Sequence, residues 1–176
     1  PRKASGQILG FFSLLQRMSL VDAAYSLDDA ASIGDLEALR ERIARGDDVD
    51  GRDGIGWTPL MWACVEGHHE CAQALIDVGA AVDMADNDGR TALMWASHYG
   101  QHECAQALID AGAAVDIGDY RGWTPLMNAC FSGHLECARA LIEAGAAVDR
   151  VNPDGGTALM RACDFAHHEC AQALID

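Results

Sequence analysis

Cys64, His68, His69 and Cys71 put four sulfur and imidazole side chains within eight residues, and thiolate with imidazole is the donor set of structural zinc sites. The cluster returns as Cys130, His134 and Cys137, and again as Cys163, His167, His168 and Cys170. That recurrence weakens the case for a metal, because equivalent cysteines in adjacent copies are expected to lie a helix-packing distance of about 8 to 10 Å apart. Such a gap is too wide for sulfurs to share one zinc at about 2.3 Å, or for a disulfide, whose Cα atoms lie within about 7 Å. No metal is expected, and the seven cysteines read as small buried hydrophobes. His98 and His102, with the carboxylates beside them, could be assembled into an acid/base pair. No glycine-rich phosphate loop, nucleophile elbow or acid pair stands outside the recurring frame, so no catalytic residue and no cofactor is expected.

The elements that carry these residues recur every 33 positions. Gly56 to Ala63 reads Gly-Trp-Thr-Pro-Leu-Met-Trp-Ala, and the word returns, varied, from Gly89, Gly122 and Gly155. Trp57 to Gly89 laid over Arg90 to Gly122 matches at 22 of 33 positions, so one structural unit is copied along the chain.

Within a unit, Thr58 is a good helix N-cap and Pro59 suits the first helical position; Gly67 should stop that helix. Glu70 then favours the first turn of a second helix, where Cys71, Ala72, Leu75 and Ile76 form an apolar stripe ended by Gly79. The stretch to Gly89 holds Asn87-Asp88-Gly89, a hairpin-type turn signal, so a turn projects to one side of the helix pair. A lone unit buries too little to fold, and stacking builds the core. Helix starts are expected near Thr58, Thr91, Thr124 and Thr157.

The pattern resembles the ankyrin repeat, carried in the third full copy by Asp119, Gly122, Thr124-Pro125-Leu126, Ala129, Gly133-His134, Leu141, Gly145-Ala146 and Val148-Asp149. The resemblance implies an all-α solenoid of stacked helix-turn-helix units with projecting β-turn or hairpin fingers. It implies a degenerate capping repeat (21–53), repeats at 54–86, 87–119 and 120–152, and an incomplete repeat at 153–176, leaving residues 1–20 outside the array as an N-terminal amphipathic extension. Two departures recur. Met61, Met94, Met127 and Met160 stand at the family's usual histidine, so the turns lean more on apolar packing. Cys71, Cys104, Cys137 and Cys170 stand at its first buried valine, while His68, His134 and His167 are the histidines that shape the turn between helices.

Copy-to-copy variation then points to function. The position after Met in the first helix reads Trp62, Trp95, Asn128, Arg161, and one turn on come Glu66, His98, Tyr99, Phe131 and Phe165. The resemblance assigns these positions, with the turn tips Trp57, Arg90, Tyr120, Arg121 and Trp123, to a concave binding groove. Trp, Tyr and Arg dominate interface hot spots. The competing reading is that Trp62 and Trp95 lie flat between units as packing.

A net charge of −15 disfavours nucleic acid and anionic membrane, and the basic residues include a single lysine, Lys3. A protein partner with a neutral or basic segment is expected. No apolar run is long enough to span a membrane, and free cysteines suit a reducing compartment, so the chain is expected inside a cell, cytosolic or nuclear. The alternative to a recognition module is an assembly subunit or spacer docking through its ends. Ile8, Phe11, Phe12, Leu15 and Met18 form one helical stripe that packs back on the capping unit, docks on a partner or membrane interface, or is a remnant targeting segment. Arg42 replaces the buried Leu75, Leu108, Leu141 and Leu174, as a capping unit facing water would allow. The chain stops within the last helix, so it is expected to belong to a longer polypeptide or larger assembly.

Overall fold

Each recurring threonine starts a helix as its sequence position requires. In the computed structural model, which describes residues 26–176, the Oγ1 atoms of Thr58, Thr91, Thr124 and Thr157 accept from the backbone N–H of Met61, Met94, Met127 and Met160 at 3.2–3.4 Å. Ser26 and Asp29 close a reciprocal capping box ahead of the first described helix. The described residues form ten helices in five pairs: α1 (Leu27–Ile33) with α2 (Leu36–Ala44), α3 (Pro59–Glu66) with α4 (His69–Asp77), α5 (Ala92–Tyr99) with α6 (His102–Asp110), α7 (Pro125–Ser132) with α8 (Leu135–Glu143), and α9 (Ala158–Asp164) with α10 (His168–Ala173). The stripe expected within residues 1–20 lies outside the described residues.

First helices stack on first helices and second on second, each touching mainly the unit before and after it. Leu39, Leu75, Leu108 and Leu141 run through the second layer at 0 % exposure, with Cys71, Cys104, Cys137 and Cys170 beside them. Arg42, at the matching register of the first unit, is half-buried and pairs with Asp47 at 2.7 Å. The methionines at the expected histidine register, Met61, Met94 and Met127, are fully buried, whereas Met160 in the last unit is exposed.

Side chains also tie each unit to its neighbour. Asp35 caps α2 by accepting from Ala38 N–H at 3.0 Å, but the residue before each later second helix makes no capping bond to that helix. It reaches back instead: His68 Nε2 to the Ser32 carbonyl at 3.0 Å, Gln101 Nε2 to that of Val65 at 3.1 Å, and His167 Nε2 to that of Phe131 at 3.1 Å. These side chains lie over the left-handed glycines that end the preceding first helices. At Gly67 (φ 76°) any Cβ would collide with Gln101, and at Gly100 (φ 72°) with the His134 ring. In the last unit Ala166 takes the left-handed turn at φ 58°, a strain of about 1 kcal/mol that glycine avoids. On the loop side Asp50, Asp83 and Asp116 accept from Ala81, Ala114 and Ala147 of the next unit at 2.8–3.0 Å.

The fingers are turns more than hairpins. Among the described residues the ladder is reduced to one antiparallel bridge, Ala85 to Thr91. Each turn is closed by two backbone bonds, such as Asp86 N–H to Arg90 O at 2.8 Å and Gly89 N–H to Asp86 O at 3.0 Å. The rest comes from an acidic side chain: Asp86 Oδ1 accepts from the N–H groups of Asp88 and Arg90, both at 2.9 Å. A carboxylate that satisfies the turn locally leaves a strand ladder nothing to add.

In the first unit, Asp28 carries an uncompensated charge. Its Oδ1 is buried without a hydrogen-bond partner, and burial first, then the charges of Asp53 and Asp29, raise its carboxyl to about 6. The unfolded chain releases this proton near the ordinary pKa of about 3.9. The folded state therefore holds more protons from about pH 4 to 6, and stability falls as pH rises through that window. Asp28→Asn is expected to gain about 1 kcal/mol at pH 7, less than the full shift because water still reaches the group, and almost nothing at pH 3. Urea melts at both pH values check this, and an equal gain at both would contradict it.

Candidate functional site

The aromatic residues that differ between copies converge on the side of the stack formed by the turns and the first helices. Trp57 meets Trp62 at 4.5 Å and Trp95 at 4.7 Å between ring centroids. Trp95 continues to Tyr99 at 5.9 Å and to His98 at 6.3 Å, and His98 lies on Phe131 at 6.2 Å. Phe131 then touches Trp123 at 5.3 Å and Phe165 at 4.5 Å. One unbroken aromatic ribbon thus crosses the four units that carry α3, α5, α7 and α9.

Exposure is uneven along it. Tyr99 and Phe165 are 47 % and 49 % exposed, whereas Trp95 is only 9 % exposed. Trp95 is crowded: the tilted Trp57 ring lies 4.7 Å away and the Arg90 guanidinium sits 4.2 Å above the Trp95 ring. The packing role weighed for the tryptophans thus describes Trp95 well, and the accessible aromatic edge in that unit belongs to Tyr99. Trp57, Trp62 and Trp123 are half-buried and rest against the core.

The indoles are aimed by acids that variation between copies did not single out, because Asp53, Asp86 and Asp119 recur unchanged in three of the four turns, with Asn152 in the last. Asp86, 2 % exposed, takes Nε1–H of Trp57 and of Trp95 on Oδ2, each at 3.2 Å, with Arg90 Nε at 3.0 Å. Asp53 Oδ2 takes Nε1–H of Trp62 at 3.1 Å. The recurring Asp-x-x-Gly-x-Thr word was the available signal: an acid that holds the turn with one oxygen has a second to offer.

Of the other expected residues, Arg90, Tyr120, Arg121 and Asn128 line one cavity of about 370 Å³ with Trp95, His98, Trp123 and Phe131. Tyr120 is 79 % exposed and its ring covers Gly89. Arg161 lies 5.5 Å over Trp123 and pairs with Asp164 at 3.4 Å. Glu66 is exposed at the end of α3 and joins none of these ring contacts. His98 shares a 3.2 Å hydrogen bond with the Ser132 hydroxyl; burial, then the charges of His134 and Arg90, hold its pKa below the usual imidazole value. It stays uncharged at neutral pH, as a ring packed in an aromatic row.

The Cys/His clusters do not converge. Among the described residues no three His, Cys, Asp or Glu side chains are placed to hold a metal ion. The thiols of the second helices reach back one unit instead: Cys104 Sγ of α6 donates to the Ala63 carbonyl of α3, and Cys137 Sγ of α8 to the Ala96 carbonyl of α5, each at 4.0 Å. Burial pushes the Cys130 and Cys137 thiols up to about 12. Six cysteines are buried and Cys163 is exposed. A thiol reagent is therefore expected to modify one cysteine rapidly in the native protein and all seven after denaturation. Two or more fast thiols, or fewer than seven in denaturant without reductant, would contradict that arrangement.

Among known proteins, the family model described as ankyrin repeats in three copies matches residues 27–119 and 112–176. Human protein phosphatase 1 regulatory subunit 27 is 40 % identical over 55 residues, which are 31 % of this chain and 36 % of that protein. Human ankyrin repeat and SAM domain-containing protein 3 is 37 % identical over 62 residues, 35 % of this chain and 10 % of that protein. Mouse ankyrin repeat domain-containing protein 40 is 34 % identical over 55 residues, 31 % of this chain and 15 % of that protein. The match thus spans about a third of the phosphatase regulatory relative and less of the others. With matches over most of its length, and helix pairs stacked as the family requires, the chain belongs to the ankyrin repeat family.

Proposed function

We propose that the chain is a non-catalytic recognition module that binds a neutral or basic protein segment along the aromatic ribbon. The observation that carries this reading is the continuity of the ribbon: Trp62, Trp57, Tyr99, Phe131 and Phe165 join across four units while retaining accessible edges. Residues buried only to stabilise a unit have no need to line up along the outside of the stack. Aromatic anchors give large contact area at little conformational cost, and the charge of −15 favours partners that are not anionic. Ankyrin repeats are in general protein-interaction modules, and a relative named as a phosphatase regulatory subunit supports a role in binding, not catalysis. No helix among the described residues is long and apolar enough to cross a membrane, and buried free thiols suit an intracellular setting.

A second reading, an assembly subunit docking through the ends of the stack, draws support from Met160 and Ile175, exposed in the last unit at 49 % and 66 %. The two separate experimentally. Tyr99→Ala and Phe131→Ala should each weaken a captured partner by about 2 kcal/mol, roughly 30-fold in Kd, with the melting temperature retained. Binding that survives both and is lost with Phe12→Ala, in the amino-terminal segment, would replace the groove by the assembly role.

A further inference from the structure

The cavity beside α7 lies where one copy departs from its neighbours. Units one and two of the ribbon carry an indole at the position after the helix methionine, Trp62 and Trp95, and each donates its N–H to the second oxygen of its own turn acid, Asp53 or Asp86. The third unit keeps the acid and loses the indole. Asp119 still holds its turn, with Oδ1 accepting from the N–H groups of Arg121 at 2.9 Å and Trp123 at 2.8 Å. Asn128 replaces the tryptophan and donates Nδ2–H to the Thr124 carbonyl at 3.0 Å, not to the acid. Arg90, standing where the preceding tip tryptophan would, is spent on Asp86 and Asp88. Asp119 Oδ2 thus accepts no hydrogen bond among the described residues, and Asp119 lines a cavity of about 370 Å³ together with Trp95, Trp123 and Phe131.

Resting on the reading of the ribbon as a binding face, we propose that this cavity receives an indole from the bound protein, a tryptophan side chain whose N–H donates to Asp119 Oδ2 where Trp62 and Trp95 serve Asp53 and Asp86. The charges around the cavity select this class. A partner's guanidinium or ammonium would meet Arg90 and Arg121, which line the same space. A carboxylate or phosphate would meet Asp88 and Asp119. An aliphatic or phenyl side chain would bury the free oxygen without a donor, a loss that weighs against it. A neutral ring that carries an N–H satisfies the oxygen and stacks on the aromatic walls.

The test uses the full chain and N-acetyl-tryptophanamide, followed by amide chemical shifts. Shifts should center on residues 119–131. They should require about tenfold more ligand when the indole nitrogen is methylated, and N-acetyl-argininamide should not reproduce them. Asp119→Asn should weaken the indole by a similar factor while leaving the turn intact, since Asn152 closes the equivalent turn of the last unit by accepting from Gly156 N–H at 2.7 Å. Asn128→Trp should abolish the shifts by restoring the internal indole. Equal response to the methylated ring, or undiminished binding by Asp119→Asn, would overturn the assignment. With a captured protein partner, loss on Tyr99→Ala but full retention on Asn128→Trp would overturn the indole anchor and keep the recognition module. Retention by both would overturn the two together.

Discussion

Asp86→Ala is expected to cost about 3–5 kcal/mol of stability, the range for breaking a buried charge pair by removing one partner. Asp86 is 2 % exposed and receives five donors: two backbone N–H groups of its own turn, two indoles and the Nε of Arg90. Without the carboxylate the indole of Trp95 stays buried with no acceptor, and the Arg90 guanidinium loses its inner partner while still resting on the ring. The loss crosses units, because Trp57 belongs to the preceding turn. Asp86→Asn separates the two jobs of the side chain: it keeps one oxygen for the backbone and places an N–H₂ against the indoles, so it should recover part of the loss and no more. Urea unfolding at neutral pH reads both variants. A cost below about 1 kcal/mol for the alanine would mean that the indoles find water or other acceptors freely, and that the acid is not the hub of the ribbon.

Leu108→Ala is expected to cost about 3 kcal/mol, within the usual span for a buried leucine truncated to alanine. Leu108 has 0 % exposure in the second layer, between the α4 and α8 helices of neighbouring units, where a cavity cannot collapse without moving both. Leu174 is its register equivalent in the last unit, and there it is half-buried. Leu174→Ala should therefore cost about 1 kcal/mol, since less apolar surface leaves water on folding there. Identical chemistry with unequal outcome is the signature of nearest-neighbour stacking. Equal losses at the two sites would contradict it, and paired melting curves suffice to decide.

The 33-residue period and the chemistry of the caps were legible without coordinates. A threonine that caps a helix does so through its own hydroxyl and the three residues after it, so Thr58, Thr91, Thr124 and Thr157 could be placed from local sequence. Glycine after the first helix in every unit but the last follows from the same local logic, and Leu75 and its copies were marked as core by helical spacing. Repetition did the rest, because a unit that cannot bury its own stripe has to stack.

Which face each varying aromatic turns toward depends on neighbours 30 or more residues away, and only the tertiary structure decided it. Trp95 is buried because Trp57 and Arg90 close over it, while Tyr99, one turn further on, keeps half its surface. The fingers settled as turns because Asp86 and its equivalents satisfy the backbone from within. The Cys104 thiol found the Ala63 carbonyl, not another cysteine of its register, because the second helix of one unit packs against the first helix of the unit before. The cavity at Asn128 had its cause in plain view, an asparagine where tryptophan recurs. The consequence, an acid oxygen left without its donor, appears only when the turn of one unit, the helix beside it and the arginine of the unit before are brought together in space.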